Sequence, residues 1–385
     1  VSLTCVSGRA FADPLSAQPL IGVAAEYSSN PLLLADHAES ETTAALLVNA
    51  PVNYDLDKFH FAATPAIRYS DQGGYSSLTS DYYHFDASAQ YMSDLGSATL
   101  TGSFYRDSSL LYAGELANDV GVRRDTSTVD FTALRYLSER MQLQADVNTS
   151  RTLYDENTAV SYLVDYRYTS FSPALIYQLS ERDTLKLIGS GSRYYALDDV
   201  SSSNGKTVQI EWDRKLTEIW SSTASVGYSK SNNVYNYYYG PYLIASVPGE
   251  QNSTVYSASV VRQTEQLALS ASASQALAPT GLAFLSRSDT VNLLANYQYS
   301  VRWTLNAGLI WQDISTPLIG GGSTARQFYN LDLSAQWKWT EQWTIAVHVA
   351  RIEQRLEAVA GQPGVNPASN NVSLEISRQF YRTNQ

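Results

Sequence analysis

From residue 18 to residue 381 the chain repeats one unit: an alternating apolar/polar run, a very short polar turn, a second run, then a longer loop rich in Ser, Gly, Asn and Tyr. The runs are about ten residues long, enough for a tilted strand to cross a bilayer but about half of what a helix needs. The rhythm predicts an all-β fold, a transmembrane antiparallel up-and-down β-barrel.

The faces can be read directly. Tyr329, Leu331, Leu333, Ala335 and Trp337 take every second position, with Asn330, Asp332, Ser334, Gln336 and Lys338 between them. A strand with lipid on one side and water on the other requires this period of two. The pattern returns in Leu143, Ala145, Val147 against Gln144, Asp146, Asn148, and in Val208, Ile210, Trp212 against Gln209, Glu211, Asp213. It returns again in Val291, Leu293, Ala295, Tyr297 against Asn292, Asn296, Gln298. A soluble sandwich or propeller also alternates, but its wet face is usually rich in Lys and Glu. Here Asn, Gln, Ser, Thr and Asp fill it.

Composition fits the barrel. Charged residues make up 16% of the chain, and 28 Tyr and 7 Trp help raise the aromatics to 12%, while mean hydropathy stays near zero at -0.23. Such averages arise when half of each strand meets water. Trp212, Trp220, Trp303, Trp337, Trp339 and Trp343 fall near the short turns, where an indole suits the headgroup level. A net charge of -11 argues against a nucleic-acid partner, which would require a basic stripe.

Cys5 is the single cysteine, so no internal disulfide is available. Ala10, Phe11 and Ala12 form an A-x-A pattern after an apolar stretch, the tail of an export signal with cleavage expected before Asp13. The expected organisation is residues 1–12 as residual signal peptide and 13–385 as one barrel domain.

Counting runs gives about eighteen strands, with sixteen as the alternative, since such barrels have even numbers. They are expected near 18–28, 42–54, 58–69, 81–93, 97–106, 125–137, 141–153, 161–179 and 183–196, then 206–216, 219–232, 252–263, 266–277, 287–299, 303–313, 326–339, 343–355 and 370–381. Short turns at 137–140, 179–182, 216–219, 299–302 and 339–342 share related wording and belong on the periplasmic rim. Loops 107–124, 233–250, 314–325 and 356–369 are then expected to face outward.

No motif declares an enzyme. The four histidines, His37, His60, His84 and His348, lack metal-ligand spacing, and neither a Gly-x-Ser-x-Gly elbow nor a phosphate-binding glycine loop occurs. Gly189, Ser190 and Gly191 read as small strand residues. His84 and Asp86 share one face, with a lumen hydrogen bond as the plain explanation. No cofactor and no metal is expected.

The inward phase is more telling. It supplies Glu26, Asp86, Asp130, Asp146, Asp165, Glu211, Asp213, Asp332 and Glu375 against Arg68, Arg167, Lys186 and Lys338. With His84, most of these are candidate pore-lining groups, and a carboxylate-rich wall favours cations. Asn49, Asn53, Asn148, Asn292, Asn296, Asn306, Asn330, Gln90, Gln144, Gln209, Gln298, Gln312 and Gln336 add amides that exchange hydrogen bonds with hydroxyls, or simply hydrate a wide pore. Tyr235, Tyr237, Tyr238, Tyr239 and Tyr242 crowd loop 233–250. They suit stacking on sugar rings at an outer mouth, or packing of one loop on another.

The run Gly22, Val23, Ala24, Ala25, Glu26, Tyr27, Ser28, Ser29, Asn30, Pro31, Leu32, the segments 43–55 and 57–69, and the closing Ser377, Arg378, Gln379, Phe380, Tyr381, Arg382, Thr383 resemble outer-membrane barrels encoded with exopolysaccharide or exosortase systems. The resemblance implies a barrel that helps move polysaccharide across the outer membrane and supplies no catalytic residue. Expected partners are outer-membrane lipid and lipopolysaccharide, the barrel-assembly machinery, periplasmic export proteins and a polysaccharide cargo. A general diffusion porin with a constricting loop, a surface enzyme and a structural or adhesive barrel are the rival readings.

Overall fold

The structure is a computed structural model. It describes residues 15–34, 36, 38–71, 81–108, 122–155, 163–239, 242–281, 283, 285–317, 323–356 and 364–380. The expected signal segment, with Cys5 and the A-x-A site, lies outside these residues, as do His37 and the glycine run 320–322.

The described chain forms one antiparallel sheet that closes on itself. Its segments are β1 (Leu15–Ala17), β2 (Leu20–Ser28), β3 (Glu41–Asn49), β4 (Val52–Asp55), β5 (Phe59–Asp71), β6 (Asp81–Ser93), β7 (Gly96–Ser108), β8 (Arg123–Tyr136), β9 (Met141–Tyr154) and β10 (Tyr166–Gln178). They continue as β11 (Asp183–Ala196), β12 (Ser201–Lys215), β13 (Trp220–Tyr239), β14 (Tyr242–Gln263), β15 (Leu267–Pro279), β16 (Leu285–Gln298), β17 (Trp303–Pro317), β18 (Ser323–Lys338), β19 (Trp343–Leu356) and β20 (Ala368–Gln379).

Two pairs of segments are single staves interrupted by proline. Pro19 separates β1 from β2 and Pro51 separates β3 from β4, each a residue without an N–H to give to the ladder. The interruptions coincide: β1 pairs β4 just as β2 pairs β3, and the Gln18 N–H donates to the Pro51 carbonyl at 3.0 Å. The twenty segments therefore make 18 staves. Closure comes from β2 against β20, in register from Leu20↔Gln379 to Ser28↔Asn371. Within the closed part of the sheet each strand is paired on both sides, the condition for strands to survive in lipid; only the far ends of β13 and β14 run on beyond their outer neighbours.

Each short turn joins two strands with only a few residues, and Ser138, Ser180, Thr217, Ser300 and Thr340 receive the N–H of the residue three positions on. These hydroxyls replace the ladder where the chain reverses, which explains the repeated wording. At the turn between β6 and β7, Gly96 has φ +154°, and a Cβ there would lie 2.0 Å from the Leu134 carbonyl oxygen. The short turns, the start of β1 and the end of β20 share one rim; the long connections share the other.

The alternation sorts the two faces as the sequence requires. Leu143, Val208, Ile210, Leu293, Leu331, Leu333, Val347 and Leu374 are all exposed on the outside, a belt that only lipid makes tolerable. At the short-turn rim, Trp303 stacks on Trp337 with ring centroids 5.9 Å apart, and Arg214, Arg262 and Arg378 lie over Trp212, Trp220 and Trp343. This is an interfacial girdle of indole and guanidinium.

One expected outer loop is not a loop. Residues 233–250 continue β13 and β14 as a protruding hairpin, paired up to Tyr239↔Tyr242. Alternation persists weakly there (Val234, Leu243, Ala245, Val247), and its many Tyr and Asn masked it. The strand expected at 161–179 is shorter, starting at Tyr166.

Candidate functional site: the lumen wall

The phase opposite the lipid belt faces the lumen, and its chemistry divides around the circumference. On β13 to β17 the inward positions carry no charged residue. Ser225, Ser229, Ser257, Ser270, Ser272, Asn292, Asn296, Asn306 and Gln312 dominate this wall. Hydroxyls and amides join across strands: Ser225 to Ser257 at 2.6 Å, Gln312 to Ser288 at 2.9 Å and Asn306 to Ser334 at 3.0 Å.

The remaining wall carries the carboxylates. Glu26, Asp86, Asp130, Asp146, Glu211, Asp213, Asp332 and Glu375 share the inward phase, as do Lys186 and Lys338. Several are engaged. Arg68 pairs with Glu26, and Lys186 Nζ lies 2.6 Å from Glu211 and 2.8 Å from Asp213. Asp146 accepts from Thr132 at 2.7 Å and Gln144 at 2.8 Å, Asp130 accepts from Asn148, and His348 stands 3.8 Å from Asp332. Asp130, Asp146, Asp332 and Glu375 have no Lys or Arg within ion-pair distance among the described residues, so the wall keeps a negative excess.

Two expected pore-lining residues are elsewhere. Asp165 precedes β10 and accepts the Tyr154 N–H at 2.8 Å, a mouth contact. Arg167 shares the phase of Phe171, Leu175 and Tyr177 and points outward. Residue type suggested a wet face for both; strand phase overrides it, because beyond the lipid belt an outward position is polar too. Sequence reading also passed over the bidentate pair Arg124–Asp107, at 2.9 and 3.0 Å and almost wholly buried. Here the residues just inside the far rim had been counted as loop.

Two segments fold into the lumen at that rim. After β2, residues 30–34 turn inward. Leu33, at φ 49° and 4% exposed, packs on Ile314, Phe328 and Ile352 from β17, β18 and β19. Asn30 fixes the turn: its Nδ2 donates to the carbonyls of Leu34 and Ala368 at 2.9 and 3.2 Å, and its Oδ1 accepts the Leu34 N–H at 3.0 Å. Between β15 and β16, Thr280, Gly281 and Ala283 cross towards β9–β12. The Tyr194 hydroxyl donates to the Thr280 carbonyl at 3.2 Å, the Val164 N–H to that of Gly281 at 2.8 Å, and Ser201 to that of Ala283. Val122, Tyr154, Tyr166, Tyr194, Ala196 and Leu285 form the apolar seat. Beside the first segment lies a cavity of 650 Å³ reaching Glu26, Arg68, His348 and Glu375. No constricting loop was expected from the sequence. The available signal was Ile314, Phe328 and Ile352 sitting in the polar phase of their strands.

His84 does contact Asp86, and the Tyr105 ring lies 4.3 Å from the imidazole while its hydroxyl donates to Asp86 at 3.1 Å. The hydrogen bond in this lumen cluster is the one from Tyr105 to Asp86, while His84 meets Asp86 at ion-pair distance without a hydrogen bond. Tyr235 and Tyr237 meet edge to face at 4.9 Å, and Tyr242 is strongly exposed on the protruding hairpin; Tyr238 and Tyr239 follow in the same hairpin. Among the described residues no three His, Cys, Asp or Glu side chains are grouped to hold a metal.

A closed antiparallel barrel with an apolar outer belt and a polar interior is, by its architecture, a bacterial outer-membrane β-barrel. No family model matches the chain and no curated protein matches it. Solved structures with a related course include the ferric citrate transporter FecA in the unliganded form (9% identity, 97% of this chain and 79% of that one, TM-score 0.49). Others are OccAB2 of Acinetobacter baumannii (12%, 98% and 100%, 0.47) and the FrpB iron transporter of Neisseria meningitidis, F3-3 variant (10%, 96% and 82%, 0.44). Likeness at this level decides nothing about what this chain carries.

Proposed function

We propose that the chain is a passive, cation-preferring passage for hydrophilic solutes across the outer membrane, with a hydroxyl-rich, uncharged or weakly charged cargo. The observation that carries this reading is the division of the lumen wall: an uncharged Ser/Asn/Gln surface over β13–β17, and a remaining arc rich in carboxylates, of which Asp130, Asp146, Asp332 and Glu375 have no Lys or Arg partner among the described residues. The first exchanges hydrogen bonds with hydroxyls at little cost, and the second repels anions. Export of an exopolysaccharide is the finer form of this proposal, supported by the sequence resemblance and by the breadth of the uncharged wall. Tyr235, Tyr237 and Tyr242 then offer aromatic faces to sugar rings at the mouth. Periplasmic export proteins and the barrel-assembly machinery are the partners this form requires.

A second reading, a diffusion channel for small solutes, is favoured by the two infolded segments, which narrow the mouth. Planar bilayers separate the alternatives. Either reading expects cations to pass over anions, with Asp130→Asn, Asp146→Asn, Asp332→Asn and Glu375→Gln together weakening that preference. Anion selectivity at low salt, where screening is least, refutes the acidic wall. Neutral oligosaccharides of increasing length then decide: passage of long chains supports export, whereas a sharp size limit supports the small-solute channel.

A further inference from the structure

On the outer surface five neighbouring strands each carry an exposed cation just beyond the apolar belt: Arg151 on β9, Arg167 on β10, Arg193 on β11, Lys206 on β12 and Lys230 on β13. Register sets Arg151 directly opposite Arg167 and Lys206 directly opposite Lys230. Arg193 closes the row, facing Thr169 and Asn204, each two residues from the next cation. Like charges directly opposed across a ladder destabilise it. Other outward cations towards this rim have their own carboxylates: Arg106 with Asp125, Arg287 with Asp289, Arg351 and Arg355 with Glu353. In the row, Lys230 has Glu250 at 2.9 Å. The other four have no carboxylate within ion-pair distance among the described residues.

A second feature lies directly beneath. The outward positions of β11 below Arg193 are Gly191 and Gly189, and a Cβ at either would meet nothing within 4 Å. Phe171 stands opposite Gly191 on one side, with Val208 opposite Gly189 on the other and Tyr228 beyond it. These three side chains are 51%, 62% and 56% exposed. The glycines thus form the floor of a trough in the lipid-facing surface, walled by apolar side chains and headed by guanidinium and ammonium groups.

We propose that this is a binding site for a phosphorylated lipid of the adjoining leaflet, its phosphate groups held along the row by Arg151, Arg167, Arg193 and Lys206 and an acyl chain lying over Gly191 and Gly189. Guanidinium groups match phosphate bidentately, and a headgroup anion removes the repulsion that the row otherwise bears. The glycines are explained by the same ligand, since any side chain there would fill the trough.

The test is native mass spectrometry of the purified barrel with bisphosphorylated lipid A, its dephosphorylated form, and inorganic phosphate as competitor. The wild-type barrel should retain the bisphosphorylated lipid. Substitution R151Q/R167Q/R193Q/K206Q should weaken retention at least tenfold, removal of the phosphates should do the same, and Gly191→Leu should weaken it severalfold with all charges intact. Heat-modifiable gel mobility verifies that each variant is folded. The single substitutions Arg167→Gln and Lys206→Gln give graded losses should the quadruple variant fail to assemble. Equal retention by the folded charge variants, or displacement of the lipid by inorganic phosphate at equal concentration, would overturn the proposal; the latter would mark a free-anion site.

Discussion

Leu33 is the pin that holds residues 30–34 inside the lumen, so Leu33→Ala is the sharpest perturbation of the mouth. Its side chain is 4% exposed against Ile314, Phe328 and Ile352, and truncating a buried Leu costs about 2–5 kcal/mol. A segment at a barrel mouth can partly collapse onto the vacancy, which puts the expected loss near the low end, about 2 kcal/mol. At about 1.4 kcal/mol per factor of ten, that shifts the docked-to-released ratio roughly thirtyfold. Single-channel recording should show more frequent or longer visits to a higher-conductance level. Phe328→Ala should act in the same direction, and the double variant should fall short of the sum because the residues share one contact. Asn30→Ala removes three hydrogen bonds from the same turn and should release it as well. Unchanged conductance levels and occupancies in all three, with the barrel still folded, would refute the claim that this segment narrows the mouth.

Leu293→Arg places a charge in the lipid belt and should cost about 2–4 kcal/mol near the bilayer midplane, whereas Asn292→Arg, one residue away and inward, should fold nearly normally. Urea titration into vesicles reads both, and equal losses would reverse the assignment of faces. Gly96→Ala should destabilise by about 1–3 kcal/mol through backbone strain, read in the same titration; a neutral result would mean the β6–β7 turn adopts another geometry. A cysteine at Ser138 should resist a membrane-impermeant reagent in intact cells and react after the outer membrane is opened. Labelling in intact cells would place the short-turn rim outside.

What the sequence alone determined is whatever depends on neighbours along the chain. Side chains alternate because the strand period is two, so Leu331/Asp332 or Val208/Gln209 can be assigned to opposite faces once one of them is known to meet lipid. Stave number, the short-turn rim and the indole girdle follow from the same local pattern. Even most of the carboxylate wall was legible, because Asp130, Asp146, Glu211 and Asp332 sit inside strongly alternating strands. Arg167 was not, since near a strand end both faces are wet and residue type no longer reports direction. The closing of the sheet decided the rest. Only closure brings Leu33 against residues from β17, β18 and β19, or sets Tyr194 beneath Thr280, 86 positions apart. The constriction and the exterior row of cations both arise from pairing between strands, where side chains distant in sequence acquire a common surface.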